Sequence, residues 1–379
     1  MRNLFISALF LSLSYGVSAQ QKGVIRLTNA GGFPLTQTVV EIPWTTVLSA
    51  FPQVDTSQLQ ISQVSDGREI PYQLEYRGQK TVQNVLVQVT VGPKQSLQLS
   101  LKRGKPTKIA PKTYCRYVPE RFDDFAWEND RIAFRIYGTA LNGRSDNAYG
   151  TDIWAKRTDQ LVLNKWYKSG NYHKDHGEGL DYYHVGFKLG AGDVGVLLSD
   201  TIGFIHNYKT WEILDNGPLR STFRVKYDPY TFNGMTVNTT KTISLDAGSQ
   251  LSRIEVVVEH SSPKPLAMVA GITIRPEPGK LLLDEQAGIL GYWEPTHGAD
   301  GTLGIGCLFP KKSIPMLYQY GHGLAKLSVR SGEPLVYYSG GAWDKANLIK
   351  TGEAWFAYLH QFANQQKNPP AVSVIQSGK

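Results

Sequence analysis

The chain has 379 residues, a formal charge of +8 and two cysteines, Cys115 and Cys307. So few cysteines exclude a disulfide scaffold and a cysteine-based zinc site. The basic residues are dispersed, with no run of five or six, so the charge suits an anionic ligand or a generally basic surface and not a nucleic acid.

The first residues, "MRNLFISALFLSLSYGVSAQ", carry one arginine, an apolar run from Leu4 to about Tyr15, and small residues ending at Ala19. This is the pattern of a secretory signal peptide, residues 1–19, and the run is too short to span a bilayer. No cysteine follows the cleavage point, so no membrane anchor is expected. The mature chain would begin at Gln20 and work in the periplasm or outside the cell. About 360 residues remain, which is too long for one core and suggests two domains.

Residues 20–105 read as a small β-sandwich. "GVIRLTNA", "QTVVEIPW", "LQISQVS", "YQLEYRG", "NVLVQVTV" and "SLQLSLKRG" alternate with period two, and glycine and proline punctuate them. "WTTVLSAFP" has room for one or two helical turns. The basic, proline-containing segment 106–113 reads as a linker. Residues 114–379 are again strand-rich, as in "RIAFRIYG", "VGVLLSD", "SRIEVVVEH" and "AMVAGITIRP". They predict a large antiparallel β-sandwich, and the fold class is all-β. "EAWFAYLHQFANQQK" is the one amphipathic helix expected.

"GAGDVG", Gly190 to Gly195, matches the dinucleotide fingerprint in letters. A strand follows it where the fingerprint requires a helix, so the glycines are read as a β turn.

"YHKDHGEGLDYYHVG", Tyr172 to Gly186, holds three of the eight histidines. Three chemistries fit. His173, Asp175, His176 and Glu178 could ligate a divalent metal if Gly177 and Gly179 let the backbone loop. His176, His173 and Tyr183 could move protons. The same residues could also make a hydrogen-bonded structural loop. A second dense segment, "RYVPERFDDFAWENDRIAFRIYG", brings Arg121, Asp124, Trp127, Asn129, Arg131 and Arg135. Strand alternation puts Arg131 and Arg135 on one face, where guanidinium groups could hold a carboxylate or sulfate. Lys156, Trp166, Tyr172, Glu178, His297, His322 and Trp343 complete the set of candidate binding residues. Apart from the metal alternative no cofactor is expected, and the oligomeric state is left open.

The words "PERFDDFAWENDRIAFRIYG", "DIWAKRT", "NKWY", "YHKDHGEGLDYYHVG", "LDNGPLR", "KTISLDAGS" and "GGAWDKA" resemble a family of secreted proteins from Bacteroidota polysaccharide-utilisation clusters, long catalogued as a domain of unknown function. The resemblance spans roughly residues 117 to 350. It implies a sandwich related to galactose-mutarotase and polysaccharide-lyase sheets. It also implies an oligosaccharide dehydratase of ulvan breakdown, which removes water from a non-reducing-end uronic acid and leaves a 4,5-unsaturated sugar. That reaction needs a base for the C5 proton, a cation for the enediolate and an acid for the C4 oxygen. Histidine, tyrosine and arginine can fill these roles. On the residues alone, a polysaccharide lyase, a glycoside hydrolase and a non-catalytic sugar-binding protein are the alternatives.

Overall fold

A computed structural model describes residues 23–199, 201–311 and 313–375. The expected signal peptide lies outside them. No helix among the described residues is long and apolar enough to cross a membrane.

The protein is all-β. Its first unit packs two antiparallel sheets. One has three strands, Leu35–Pro43, Asn84–Val91 and Tyr72–Glu75, with the second in the middle. The other orders four strands as Ala371–Ile375, Gly23–Thr28, Ser96–Arg103 and Leu59–Gln63. Alternate residues of both sheets, among them Ile25, Leu27, Val40, Ile42, Val85, Val87, Leu99 and Leu101, fill the space between. The expected short helix is Trp44–Ala50. One boundary differs from the sequence reading. The large unit does not keep everything after residue 114, because Ala371–Ile375 crosses back and pairs in register with Gly23–Thr28. Its alternating "AVSVI" suits an edge that only one neighbouring strand covers.

The large unit is built on one long sheet. Its order is Tyr208–Asn216, Arg220–Tyr227, Met235–Asp246, Leu251–His260, Pro334–Trp343, Leu303–Leu308, Ile289–Trp293 and Lys280–Asp284, with Tyr230–Phe232 also pairing Met235–Asp246. Two five-stranded sheets pack on one face of it. One contains Thr113–Val118, Asp124–Asn129, Ala133–Ile136, Asp152–Lys156 and Gly179–Leu180. The other contains Ile202–Phe204, Ala191–Leu197, Leu266–Thr273, His322–Val329 and Met316–Gln319. Phe125 of the first stacks on Phe223 of the long sheet at 4.2 Å, and Trp127 packs beside it. The helix Gly352–Lys367 covers the opposite face with Trp355 and Leu359, and Thr351 caps its N-terminus through Ala354 N. A short helix, Leu163–Ser169, was not expected; it carries the "NKWY" residues. Cys115 and Cys307 are buried free thiols, and burial pushes both up to about 12.

The "GAGDVG" glycines are not a turn. They lie at the start of strand Ala191–Leu197, where the register shifts between Ala191 and Asp193. Gly192 has φ +110°, and a Cβ there would sit 1.8 Å from Ser339 Oγ and 2.9 Å from Cys307 Sγ. The bulge admits the long sheet at a distance only glycine permits. Gly192→Ala should therefore lower unfolding stability by roughly 1–3 kcal/mol or more, the range for overpacking a core. Urea denaturation of the two proteins checks this.

Candidate functional site

Strands Asp124–Asn129, Ala133–Ile136 and Asp152–Lys156 turn opposite faces to opposite environments. Phe125, Trp127, Phe134, Ile136 and Ile153 enter the main core. Asp124, Glu128, Arg135, Asp152, Trp154 and Lys156 point the other way, and the helix Leu163–Ser169 with residues 170–186 covers them. This outward face carries two charged clusters.

At one end Arg135 is surrounded by acids. Its Nε and Nη2 donate to Asp152 Oδ2 at 2.9 and 2.5 Å, its Nη2 donates to Asp181 Oδ2 at 2.9 Å, and its Nη1 lies 3.5 Å from Asp124 Oδ2. The guanidinium also lies 5.2 Å from the ring centres of Tyr137 and Trp154. Three carboxylates thus share one cation out of water. Burial above all, with help from Asp152, pushes Asp124 up to about 7 against the pull of Arg135 and Arg121. The same causes drive Asp181 well above its usual range. Asp124 Oδ1 and Arg121 Nη1 are both buried without a hydrogen-bond partner. The approach to Asp124 is strained: Phe122 and Asp123 have φ +51° and +61°. Tyr117 Oη bonds the Asp123 carboxylate, and Tyr208 Oη donates to its carbonyl at 2.6 Å, holding this bend.

At the other end the charges are structural. Lys156 Nζ donates to Glu128 Oε2 at 2.6 Å and to Asn129 O at 2.7 Å. Glu128 also accepts from Val162 N and Leu163 N, which docks the short helix on the sheet. Lys156 is therefore a buried anchor and does not face a ligand.

The stretch Tyr172–Gly186 runs over this face. Tyr172 stacks on Trp154 at 5.0 Å. His173 Nδ1 is 2.9 Å from Asp181 O and 3.6 Å from Asp181 Oδ2, while 65% of its side chain is exposed. A carbonyl partner makes Nδ1 the donor, so Nε2 carries the lone pair. Asp175 pairs with Arg157 and caps Gly177 N and Gly179 N. Glu178 turns to Lys165 Nζ at 2.8 Å, whose bond holds it below the usual range. His176 is exposed. The four metal-ligand candidates therefore diverge, each toward a different neighbour or solvent. Among the described residues no three His, Cys, Asp or Glu side chains are grouped to hold a metal ion.

Beyond Asp181 the stretch meets a second group that the sequence reading largely missed. Tyr182 stacks on His297 at 5.1 Å, and its hydroxyl is buried with no partner. His297 Nδ1 lies 3.1 Å from Asp300 Oδ2. Arg275 lies 4.4 Å from the Tyr183 ring centre, bonds Glu294 Oε1 at 2.7 Å and donates to His184 O at 2.9 Å. Asp152 and Arg275 both act on Tyr183, so that ring joins the two groups.

Several candidates lie elsewhere. Trp127 stacks on Phe134 in the core. Asn129 Nδ2 ties down Asp246 O and Ser249 O. Arg131 precedes its strand and reaches Gln37 of the first unit, so it does not share the face of Arg135. Trp166 stacks on Trp154 as packing. His322 is buried, with Nδ1 on Tyr320 O. Trp343 is buried at the margin, its Nε1 on Asp300 O and Arg157 above its ring. The structure brings together Arg121, Asp124, Arg135, His173 and Tyr183, and adds Asp152, Asp181, Arg275 and Glu294. Asp152 stood in "DIWAKRT" at the alternate position to Trp154, a signal that strand periodicity could have used.

Comparison with known proteins supports the fold. An α-mannosidase from Enterococcus faecalis superposes with a TM-score of 0.51 at 10% identity, covering 95% of this chain and 46% of its own. A glycosyl hydrolase family 38 protein from the same species gives 0.53 at 11% identity, covering 96% and 48%. The chain spans about half the length of those structures, and at such identity the likeness is one of fold. An uncharacterized protein, P7, from Formosa agariphila is 30% identical over 316 residues, 78% of each chain. Residues 27–372 match the model of a family described as a domain of unknown function, DUF4861, and the chain belongs to that family.

Proposed function

We propose that the protein is an exported carbohydrate-active enzyme that eliminates water from a terminal uronic acid of an anionic, ulvan-like oligosaccharide. The observation that carries this reading is the connected set His173–Asp181–Arg135–Asp124, on whose last member Arg121, with one unpartnered nitrogen, acts electrostatically. Its residue types match the three elements that elimination next to a carboxylate requires: a base, a cation and an acid. His173 Nε2 takes the C5 proton, its ring fixed by Asp181. Arg121 Nη1 binds the carboxylate and stabilises the enediolate as its charge builds. Electrons then return to form the C4–C5 double bond, the C4–O bond breaks, and Asp124 supplies the proton that makes the leaving hydroxyl water. Atoms balance: one sugar gives one unsaturated sugar and one water.

Arg135, expected to hold the substrate, is already occupied by three aspartates. Its role here is to position Asp181 and to keep the acid cluster together. His176 stands at the rim. A glycoside hydrolase would use a second carboxylate as base or nucleophile. Asp152 is poorly suited, because Arg135, Ile153 N and Trp154 Nε1 already occupy its oxygens.

The direct test is incubation with uronic-acid oligosaccharides, followed by mass and absorbance. Loss of one water with a new ultraviolet band supports elimination. Chain splitting with added water would replace this reading with hydrolysis. His173→Ala should lower turnover by about 10²–10⁴, the range for a lost proton-transfer group, without unfolding the protein. Full activity in that variant would remove His173 from the mechanism.

Asp124 yields a pH prediction in two measurements. As the proton donor it must be protonated, so turnover should fall as pH rises through about 7. Asp124→Asn should abolish that limb along with most of the activity. Stability follows the same group. The folded state keeps the Asp124 proton up to about 7, whereas an unfolded aspartate releases it near 3.8. The folded state then binds more protons, so this group's contribution falls as pH rises across that window. Melting temperatures of wild type and Asp124→Asn between pH 4 and pH 8 should therefore diverge in the variant's favour as pH increases.

A further inference from the structure

Next to the stretch Tyr172–Gly186 stands a column of aromatic rings that neither cluster uses. Phe187 follows directly, and Tyr149 N donates to Gly186 O at 3.1 Å. The Phe187 and Tyr149 ring centres are 4.8 Å apart. Tyr149 stacks on His206 at 4.3 Å with only 8° between their planes. His206 meets Tyr230 at 4.2 Å. Phe187 at 52% and Tyr230 at 38% are the most exposed of these rings, and Tyr230 also packs on buried Phe232 at 4.7 Å.

The column is built deliberately in the packing. Buried Asn207 donates from Nδ2 to Asn147 Oδ1 and to Ala148 O, both at 3.0 Å, which brings the 147–149 loop against His206. Four contiguous rings with exposed faces at Phe187 and Tyr230 form a continuous aromatic surface, the kind of feature that marks an interaction site where a lone exposed ring would not. Burial lowers the His206 pKa, which favours its neutral form. The rings of the column are therefore uncharged, whereas the adjoining site is charged. An aromatic face of this kind attracts the C–H face of a pyranose, a surface apolar on one side and polar at its edge.

We infer that the ring column is a subsite that stacks an uncharged pyranose of the same oligosaccharide, next to the terminal uronate at the charged site, with Phe187 as the contacting ring and Tyr230 as its outer extension. This deepens the function proposed above and rests on it for the uronate end. Asp146, three residues before Tyr149, lies 3.8 Å from Arg121 Nη2, so the loop that carries the column also borders the charged site. The contrast between charged and neutral halves sets the direction in which the chain lies.

The test uses a uronate-terminated tetrasaccharide and the matching disaccharide. The variants are Phe187→Ala, Phe187→Tyr and Tyr230→Ala. Both rings are exposed, so folding should survive, and unchanged near-ultraviolet circular dichroism confirms it. Phe187→Ala should raise KM for the tetrasaccharide about tenfold, the loss of one modest stacking contact. Its kcat should stay within about twofold, since no proton-transfer group is touched. The effect should be confined to the longer substrate, and Phe187→Tyr should restore affinity. Equal losses on both lengths, or none on either, would overturn the subsite. Calorimetric binding of the tetrasaccharide separates the two proposals. If wild type binds it in a Phe187-dependent way but turns nothing over, the subsite stands and the elimination chemistry fails. If binding is absent or independent of Phe187, the subsite fails whatever the chemistry.

Discussion

One guanidinium shared by three buried carboxylates is the constraint on which the site depends. Arg135 cannot neutralise Asp124, Asp152 and Asp181 together, and each is removed from water. Burial and mutual repulsion raise Asp124 and Asp181, so the cluster favours keeping a proton where a surface aspartate would not. The acids come from a strand start, a neighbouring strand and the covering stretch. The cluster thus reports whether sheet and cover are correctly assembled. Removing the arginine would leave three acids facing one another, so its role is structural and electrostatic at once.

The rest of the unit keeps this arrangement in place. The core pairs Phe125 with Phe223 and Trp127 with Phe134 on the reverse side of the same strands. A strand that holds a stacked aromatic on one face cannot slip by a residue without exposing it, so the polar face is fixed in register. Lys156 and Glu128 clamp the short helix at the far end, and the covering stretch is held between that clamp and the acid cluster. The left-handed pair Phe122–Asp123 is strain placed next to the buried acid Asp124, and two tyrosine hydroxyls maintain it.

Much of this was legible in the sequence, for physical reasons. Period-two alternation gave the strands and the all-β class, because burial on one face imposes it directly. Density of titratable groups marked both Tyr172–Gly186 and Arg116–Gly138, and they do meet, through Asp181 and Arg135. What alternation could not tell was which polar residue pairs with which. Lys156 and Arg135 look alike as cations on adjacent strands, yet one anchors a helix and the other gathers acids. Arg275 and Glu294 sit about a hundred residues downstream and meet the stretch only through the fold. Arg131 was misplaced because its strand begins two residues later than the pattern suggested. Gly192 is explained by a neighbour distant in sequence, Ser339, which no local rule contains.

The pairing of Ala371–Ile375 with Gly23–Thr28 has a consequence for how the molecule is made. A strand made early, Gly23–Thr28, gains its outer neighbour only when residues 371–375 have been made. Until then Gly23–Thr28 presents an open edge with a row of unsatisfied backbone groups, the usual template for intermolecular association. A nascent or truncated chain lacking residues 371–375 would carry that sticky edge. Closure of the first sandwich therefore waits on residues about 350 positions downstream of the strand they cover.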